Sequence, residues 1–127
     1  LGKAEEFSKK AIDLKSIEAH YIMGLVYFKK EMWKESATEF EILTKIKVNH
    51  TGALLHGGLC NLNQGKFTEA IISFDKTIKA EPENIDALKG LGEAYIKKGS
   101  AREGVDFSLK AIGSALSFNF IEIVVTF

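Results

Sequence analysis

The sequence predicts an all-α protein built as an array of antiparallel helix pairs. Three glycines, Gly24, Gly58 and Gly92, recur with a constant 34-residue period. The apolar residues follow a helical period, and the 127 residues include one proline. Repetition at a fixed period of this length is typical of helix–turn–helix arrays, in which each unit buries its apolar face against its neighbours.

The recurring glycines indicate places where two helices cross closely. A glycine in the middle of a helix costs about 1 kcal/mol relative to alanine. Three glycines at one register therefore indicate a packing demand, since a side chain at these positions would hold the two helices apart.

Seven helices are predicted in order along the chain. The first belongs to a half repeat, and the other six form three pairs. The predicted helices span residues 4–14, 17–30, 33–47, 52–64, 67–80, 85–98 and 101–116. They divide the chain into a half repeat at 3–16, repeats at 17–50, 51–84 and 85–116, and an apolar tail at 117–127.

Polar residues and the proline mark the ends of the predicted helices. Pro82 ends a helix because its ring nitrogen has no hydrogen to donate to the preceding turn. Asn49, His50 and Thr51 form a polar break before the second repeat. The link after the half repeat is two residues shorter than the others, and Ser16 is its predicted N-cap.

The second repeat carries the clearest motif: Ala70, then Phe74 after three intervening residues, then Pro82 eight residues later. Together with the 34-residue period, this motif resembles the tetratricopeptide repeat family over residues 4–116. The resemblance implies a right-handed α-solenoid whose first helices line a concave groove. Two departures from the family have expected consequences. Gly57 replaces the usual leucine and, beside Gly58, should make its helix locally soft, whereas Ser108 replaces phenylalanine and should loosen the packing.

The same resemblance assigns the binding of a protein or peptide partner to the groove. The matching positions are apolar in the first two repeats and charged in the third. They are Tyr21, Leu25, Phe28, Lys29, Leu55, His56, Leu59, Leu62, Asn63, Lys89, Glu93, Ile96 and Lys97. A partner would then contribute hydrophobic anchors to the apolar half and an acidic group to the lysines. The alternative is that some of these side chains pack against neighbouring helices.

Composition limits the classes of partner. Lys plus Arg and Asp plus Glu are 17 each, so the formal net charge is zero. Nucleic acids and anionic membranes attract a basic excess, so neither is expected as the main partner. No apolar run approaches the roughly 20 residues that span a bilayer. The single cysteine, Cys60, matches Val26 and Ala94 in the other repeats, which predicts a buried structural thiol.

No catalytic, metal or cofactor site is expected. His20, His50 and His56 lack partners at metal-ligand spacing. His20 falls at a core position, which favours a packed histidine over a ligand. Carboxylates such as Glu39 and Glu41 are predicted to lie on solvated helix faces. The sequence therefore predicts no enzyme in these residues.

Three functions remain open: a binding module without catalysis, an accessory region of a larger enzyme such as a transferase, and a structural module. The structural module would form a homo-oligomer through the tail or the array ends. Residues 118–127 are rich in β-branched and aromatic side chains, which predicts an extended segment packed on the last repeat or a neighbouring chain. The chain lacks an initial methionine, so we expect a fragment or a processed chain, with the cytoplasm as the expected compartment.

Overall fold

The computed structural model describes the backbone of residues 2–126 and the side chains of residues 14–117. Every regular element in the described backbone is an α-helix, which confirms the predicted all-α class. The six helices are α1 (Gly2–Lys29), α2 (Trp33–Ile46), α3 (Thr51–Asn63), α4 (Phe67–Ala80), α5 (Ile85–Lys98) and α6 (Ala101–Thr126).

The helices pack as consecutive pairs, α1 with α2, α3 with α4, and α5 with α6. Turns of two to four residues join successive helices, so neighbours run antiparallel. Each later first helix also packs on the pair before it: α3 contacts α2 and α1, and α5 contacts α4 and α3. This nearest-neighbour pattern is that of an α-solenoid.

The turn inside each pair places one residue in the left-handed region. Gly65 has φ 77°, Gly99 has φ 102°, and Glu31 has φ 59°. The three positions are separated by one period each. Glycine adopts this conformation without steric cost, whereas Glu31 must tolerate its Cβ there.

The turns between pairs are closed by side-chain N-caps. Nδ1 of His50 accepts a hydrogen bond from the backbone N–H of Ala53 at 3.0 Å. One period later, Oδ1 of Asn84 accepts from the N–H of Ala87 at 2.9 Å. Both bonds satisfy an N–H group that the first turn of a helix leaves without a backbone partner.

The recurring glycines lie at close helix crossings, as the sequence predicted. A Cβ added at Gly24 would lie 2.5 Å from Cε1 of Phe40, and one at Gly58 would lie 2.8 Å from Cε1 of Phe74. The side chain met in each case lies on the second helix of the same pair, and the two phenylalanines are themselves one period apart. A further period along, the corresponding position is Ser108, whose Oγ a Cβ at Gly92 would also meet.

Phe74 joins two pairs as well as two helices. Its ring is fully buried, and a Cβ added at Gly90 of α5 would lie 2.5 Å from its Cζ. The ring therefore contacts both Gly58 on α3 and Gly90 on α5. Both glycines are required by the close approach of the same aromatic side chain.

Among the described side chains, most of the buried core forms two clusters, one at each junction between pairs. Phe40 and Leu43 of α2 pack with Ala53 and Cys60 of α3. The second cluster is centred on Phe74 and continues through Leu62, Ala70, Ile71, Ala87, Leu91 and Ala94. Cys60 is fully buried, and burial raises the pKa of its thiol. The prediction of a structural thiol is confirmed.

The prediction of seven helices is wrong for the described backbone, which contains six. Residues 4–14 and 17–30, predicted as two helices, belong to one continuous helix, α1. The two residues between them are fewer than the four of the turns that end α2 and α4. The turn between α5 and α6 also has two residues, but it reverses the chain with Gly99 at φ 102°. No glycine or proline lies between Lys3 and Met23, so nothing there ends the helix. The division into repeats stays a prediction.

The prediction of an extended tail is also wrong. Helix α6 continues from Ala101 to Thr126 through most of the apolar tail. The tail contains no glycine or proline, so nothing interrupts the backbone hydrogen bonds of α6. Strand preference of side chains is a weak determinant beside the continuation of a formed helix. The predicted packing of the tail on the last repeat or on another chain lies outside the described side chains.

Candidate partner-binding surface

The predicted groove positions lie on the first helices α1, α3 and α5, but their exposure differs between repeats. In the first two repeats, the apolar residues at these positions are partly buried against the core. They are Tyr21, Leu25, Phe28, Leu55 and Leu59. The alternative of packing between helices therefore applies to this half of the surface.

Tyr21 shows how packing and surface overlap. Its ring centroid is 4.8 Å from that of His50, 6.1 Å from Phe40 and 6.4 Å from His56. A Cβ added at Gly52 would lie 2.6 Å from the Tyr21 hydroxyl oxygen. Tyr21 therefore fills the junction between α1 and α3, and it stabilises that junction whether or not a partner is bound.

Other apolar residues of the first two repeats also pack between helices, as Tyr21 does. Phe28 lies between Trp33 and His56, with ring centroids at 5.2 and 5.1 Å. Leu62 is 6% exposed and belongs to the core, so it is not part of an accessible surface. Lys29 and Asn63 are exposed, and Nδ2 of Asn63 donates to the backbone carbonyl of Leu59 at 2.8 Å.

The groove positions of the third repeat lie on an open cavity of about 620 Å³ between α5 and α6, which we call the end cavity. Nζ of Lys97 pairs with Oε1 of Glu93 at 3.0 Å, and Lys89 is exposed beside them. The residues around the cavity are Ile85, Lys89, Glu93, Ile96, Lys97, Ser108, Ala111, Ile112 and Ala115. The structure therefore brings together all four groove residues of the third repeat.

Sequence reasoning missed the α6 side of the end cavity. Ala111 and Ile112 lie one period after Thr77 and Ile78. Thr77 is fully buried, and Ile78 packs on the second core cluster. The period itself was the available signal, because it places α6 residues where α4 meets the next first helix.

A partly buried polar contact joins α1 to α2. Oε2 of Glu39 accepts a hydrogen bond from Nδ1 of His20 at 2.6 Å. The Glu39 side chain is 16% exposed, so its assignment to a solvated face is wrong, whereas Glu41 is exposed as predicted. His20 is a packed histidine with a satisfied ring nitrogen, in agreement with the sequence.

The described part of the chain contains no group of three or more His, Cys, Asp or Glu side chains placed to hold a metal ion. Among the same residues, no helix combines the length and apolar character needed to cross a membrane.

Comparison with known sequences gives two relatives of this chain. Human tetratricopeptide repeat protein 13 is 34% identical over 87 residues, which are 68% of this chain and 10% of that protein. The peroxisomal targeting signal receptor of Saccharomyces cerevisiae is 34% identical over 65 residues, or 51% of this chain and 11% of the receptor. The chain thus spans about a tenth of the length of these relatives. No protein-family model matches the sequence.

Solved structures share the architecture. MamA superposes with a TM-score of 0.75 at 26% identity, covering 81% of this chain and 60% of MamA. The tetratricopeptide repeat domain of Arabidopsis OM64 superposes with a TM-score of 0.77 over 80% of this chain and 84% of that domain. Its identity is 15%, so it supports the fold alone. From the 34-residue period, the glycine crossings, the named relatives and these structures, we conclude that the chain belongs to the tetratricopeptide repeat family.

Proposed function

We propose that this chain binds a segment of a partner protein on the face formed by its first helices, with the end cavity as the main contact. The relatives support a role as a protein-interaction scaffold in general. One of them is named as a receptor for a targeting signal. The observation that carries the proposal is the end cavity, where the predicted groove residues are exposed beside open space.

The chemistry around the end cavity indicates the kind of segment. Ile96 and Ile112 are exposed apolar side chains about half accessible to solvent. Glu93 already pairs with Lys97, while Lys89 has no ion-pair partner among the described residues. A segment with two apolar side chains and one carboxylate would bury the isoleucines and pair with Lys89. Buried apolar anchors commonly contribute about 2 kcal/mol or more, roughly thirtyfold in affinity.

The test starts from peptides selected out of a displayed random library on the immobilised chain. Dissociation constants of the selected peptides are then measured by isothermal titration calorimetry. We expect Ile112→Ala and Lys89→Glu to weaken binding by about tenfold or more. Both positions are exposed, so helicity and melting temperature should not change. Lys76→Glu, an exposed charge reversal on α4, is the matched control.

Two results would contradict the proposal. One is the failure of selection to yield binding peptides. The other is equal affinity for the parent chain, Ile112→Ala and Lys89→Glu. The substitution Phe28→Ala is a poor test, because Phe28 packs between Trp33 and His56 and its removal would also lower stability.

Self-association through the array ends, the structural alternative from the sequence, is favoured by one observation. Apolar side chains are exposed at the first helix of the array and at the last, including Ile22 and Val26 on α1 and Ile112 on α6. The alternative of an accessory region beside a transferase stays a prediction.

A further inference from the structure

The end cavity lies where the structure elsewhere holds a first helix. Helix α3 packs on the pair α1 and α2, and α5 packs on the pair α3 and α4. Five residues of the second pair belong to, or pack against, the core cluster that contains the buried residues of α5, namely Leu55, Leu59, Leu62, Phe74 and Ile78. One period later, the corresponding residues all line the end cavity, namely Lys89, Glu93, Ile96, Ser108 and Ile112. No described residue occupies this position on the third pair.

Helix α1 exposes a face that is buried on the later first helices α3 and α5. Its residues Met23 and Val26 are 44% and 48% exposed. One period later Cys60, at the Val26 position, is fully buried, and two periods later Leu91 and Ala94 are fully buried. The face of a first helix that packs on a preceding pair is thus exposed on α1.

We propose that the two ends of the array bind each other between copies of this chain. In this arrangement α1 of one copy occupies the end cavity of the next, in the register that α3 and α5 use within a copy. The inference rests on the proposed function, since it names a second copy as a partner of the end cavity.

The sizes of the side chains support this register. Phe40 of α2 faces His56 of α3, with ring centroids at 5.7 Å. Phe74 of α4 faces Gly90 of α5, where an added Cβ would lie 2.5 Å from the ring. The third pair has Ser108 at the position of these rings, and α1 has Ile22 at the position of Gly90. The larger residue from α1 therefore meets the smaller residue of the end cavity.

The charges support the same register. Within the chain, Gly52 at the start of α3 meets the hydroxyl of Tyr21. Glu18 of α1 lies one period before Gly52, and Lys89 lies two periods after Tyr21. Docking in register therefore places Glu18 of one copy beside Lys89 of the other, and both side chains are exposed. Opposite charges at one contact favour association in this orientation.

A contact between two different faces does not close on itself. Each copy retains one free end after binding, so association continues into chains of increasing length unless the rotation closes a ring. Sedimentation velocity of the full chain should show a weight-average mass that rises with concentration above the 14.0 kDa of one copy.

The deciding experiment uses two charge reversals. Glu18→Lys places two lysines at the contact, and Lys89→Glu places two glutamates there. Each variant alone should associate about tenfold more weakly at low salt, with a smaller effect at high salt. In a mixture of the two variants, two kinds of contact form between unlike copies. At one, the lysine introduced at position 18 meets the glutamate introduced at position 89. At the other, the unchanged Glu18 meets the unchanged Lys89, as in the parent. The mixture should therefore regain the parent's mass distribution.

The outcomes separate this inference from the proposed function. A constant mass of 14.0 kDa at every concentration would overturn it, even if selected peptides still bind the end cavity. Loss of association in both variants without recovery in the mixture would also overturn it. Circular dichroism and melting temperature of the variants control for folding. Association that rises and recovers as described, without any peptide binding, would instead contradict the proposed function.

Discussion

The adjacent glycines of α3 have different surroundings, so alanine should have different effects on stability at the two positions. A Cβ added at Gly57 would lie 3.7 Å from Cβ of Phe40, which is ordinary van der Waals contact. A Cβ added at Gly58 would lie 2.8 Å from the ring of Phe74, closer than carbon atoms approach without a shift. The ring has little freedom to shift, because it is fully buried and Gly90 also lies against it.

The magnitude follows from two effects. Replacing glycine by alanine inside a helix stabilises it by about 1 kcal/mol, and this gain applies to both variants. At position 58 the added methyl group overpacks the core, which costs roughly 1–3 kcal/mol. The helix gain cancels in a comparison of the two variants. The free energies of unfolding of Gly57→Ala and Gly58→Ala should therefore differ by about 1–3 kcal/mol, with Gly57→Ala the more stable.

Urea denaturation followed by circular dichroism measures this difference. Gly113→Ala is a useful control, because a Cβ there meets nothing within 4 Å and reports the helix gain without packing. Equal stability of the two α3 variants, or a more stable Gly58→Ala, would refute the reasoning that the glycine register is set by close aromatic packing.

Three further substitutions test other parts of the fold. Burial lowers the pKa of His50 below its ordinary value of 6.5, so its cap to Ala53 is complete above that pH and is lost as pH falls through the lowered value. Parent stability should then decline by about 1 kcal/mol more than that of His50→Asn, and parallel pH curves in thermal melts would contradict this. Gly92→Leu should lower the free energy of unfolding by roughly 1–3 kcal/mol, because its Cβ would lie 3.0 Å from a backbone carbonyl oxygen. A melting temperature equal to that of the parent would contradict this. Glu31→Gly should raise the melting temperature by relieving a left-handed conformation that costs a non-glycine residue about 1 kcal/mol, and a lower value would count against it.

The fold was predictable because the same helix contacts recur with the same 34-residue period as the sequence. Glycine is rare inside helices unless a close approach requires it, so its recurrence once in every period reported the crossings directly. The burial of Cys60 was predictable for the same reason, from small residues at matching positions. Local features that do not recur in every repeat could not be predicted from the period. The continuity of α1 and the helical tail both depend on the absence of any residue that interrupts a helix.

The candidate surface was predictable only in its position along the helices. Sequence pattern places Tyr21 and Lys89 at equivalent sites, but it does not tell that a following helix covers one and leaves the other exposed. The N-cap role of His50 was also missed, although the position lies one period before Asn84, a favoured N-cap residue. Aligning the repeats at their turns, as well as at their glycines, would have revealed it.

The position of Phe74 between two glycines also determines which helices unfold together. One ring contacts α3, belongs to α4 and touches α5, so opening any one of these helices exposes a side chain that the other two had buried. Ser108 provides no such link for α6, which among the described residues packs on α5 alone. In arrays of this kind, stability is close to a sum of units and nearest-neighbour contacts. Amide hydrogens of α6 should therefore exchange with solvent through a local opening of lower free energy than those of α4.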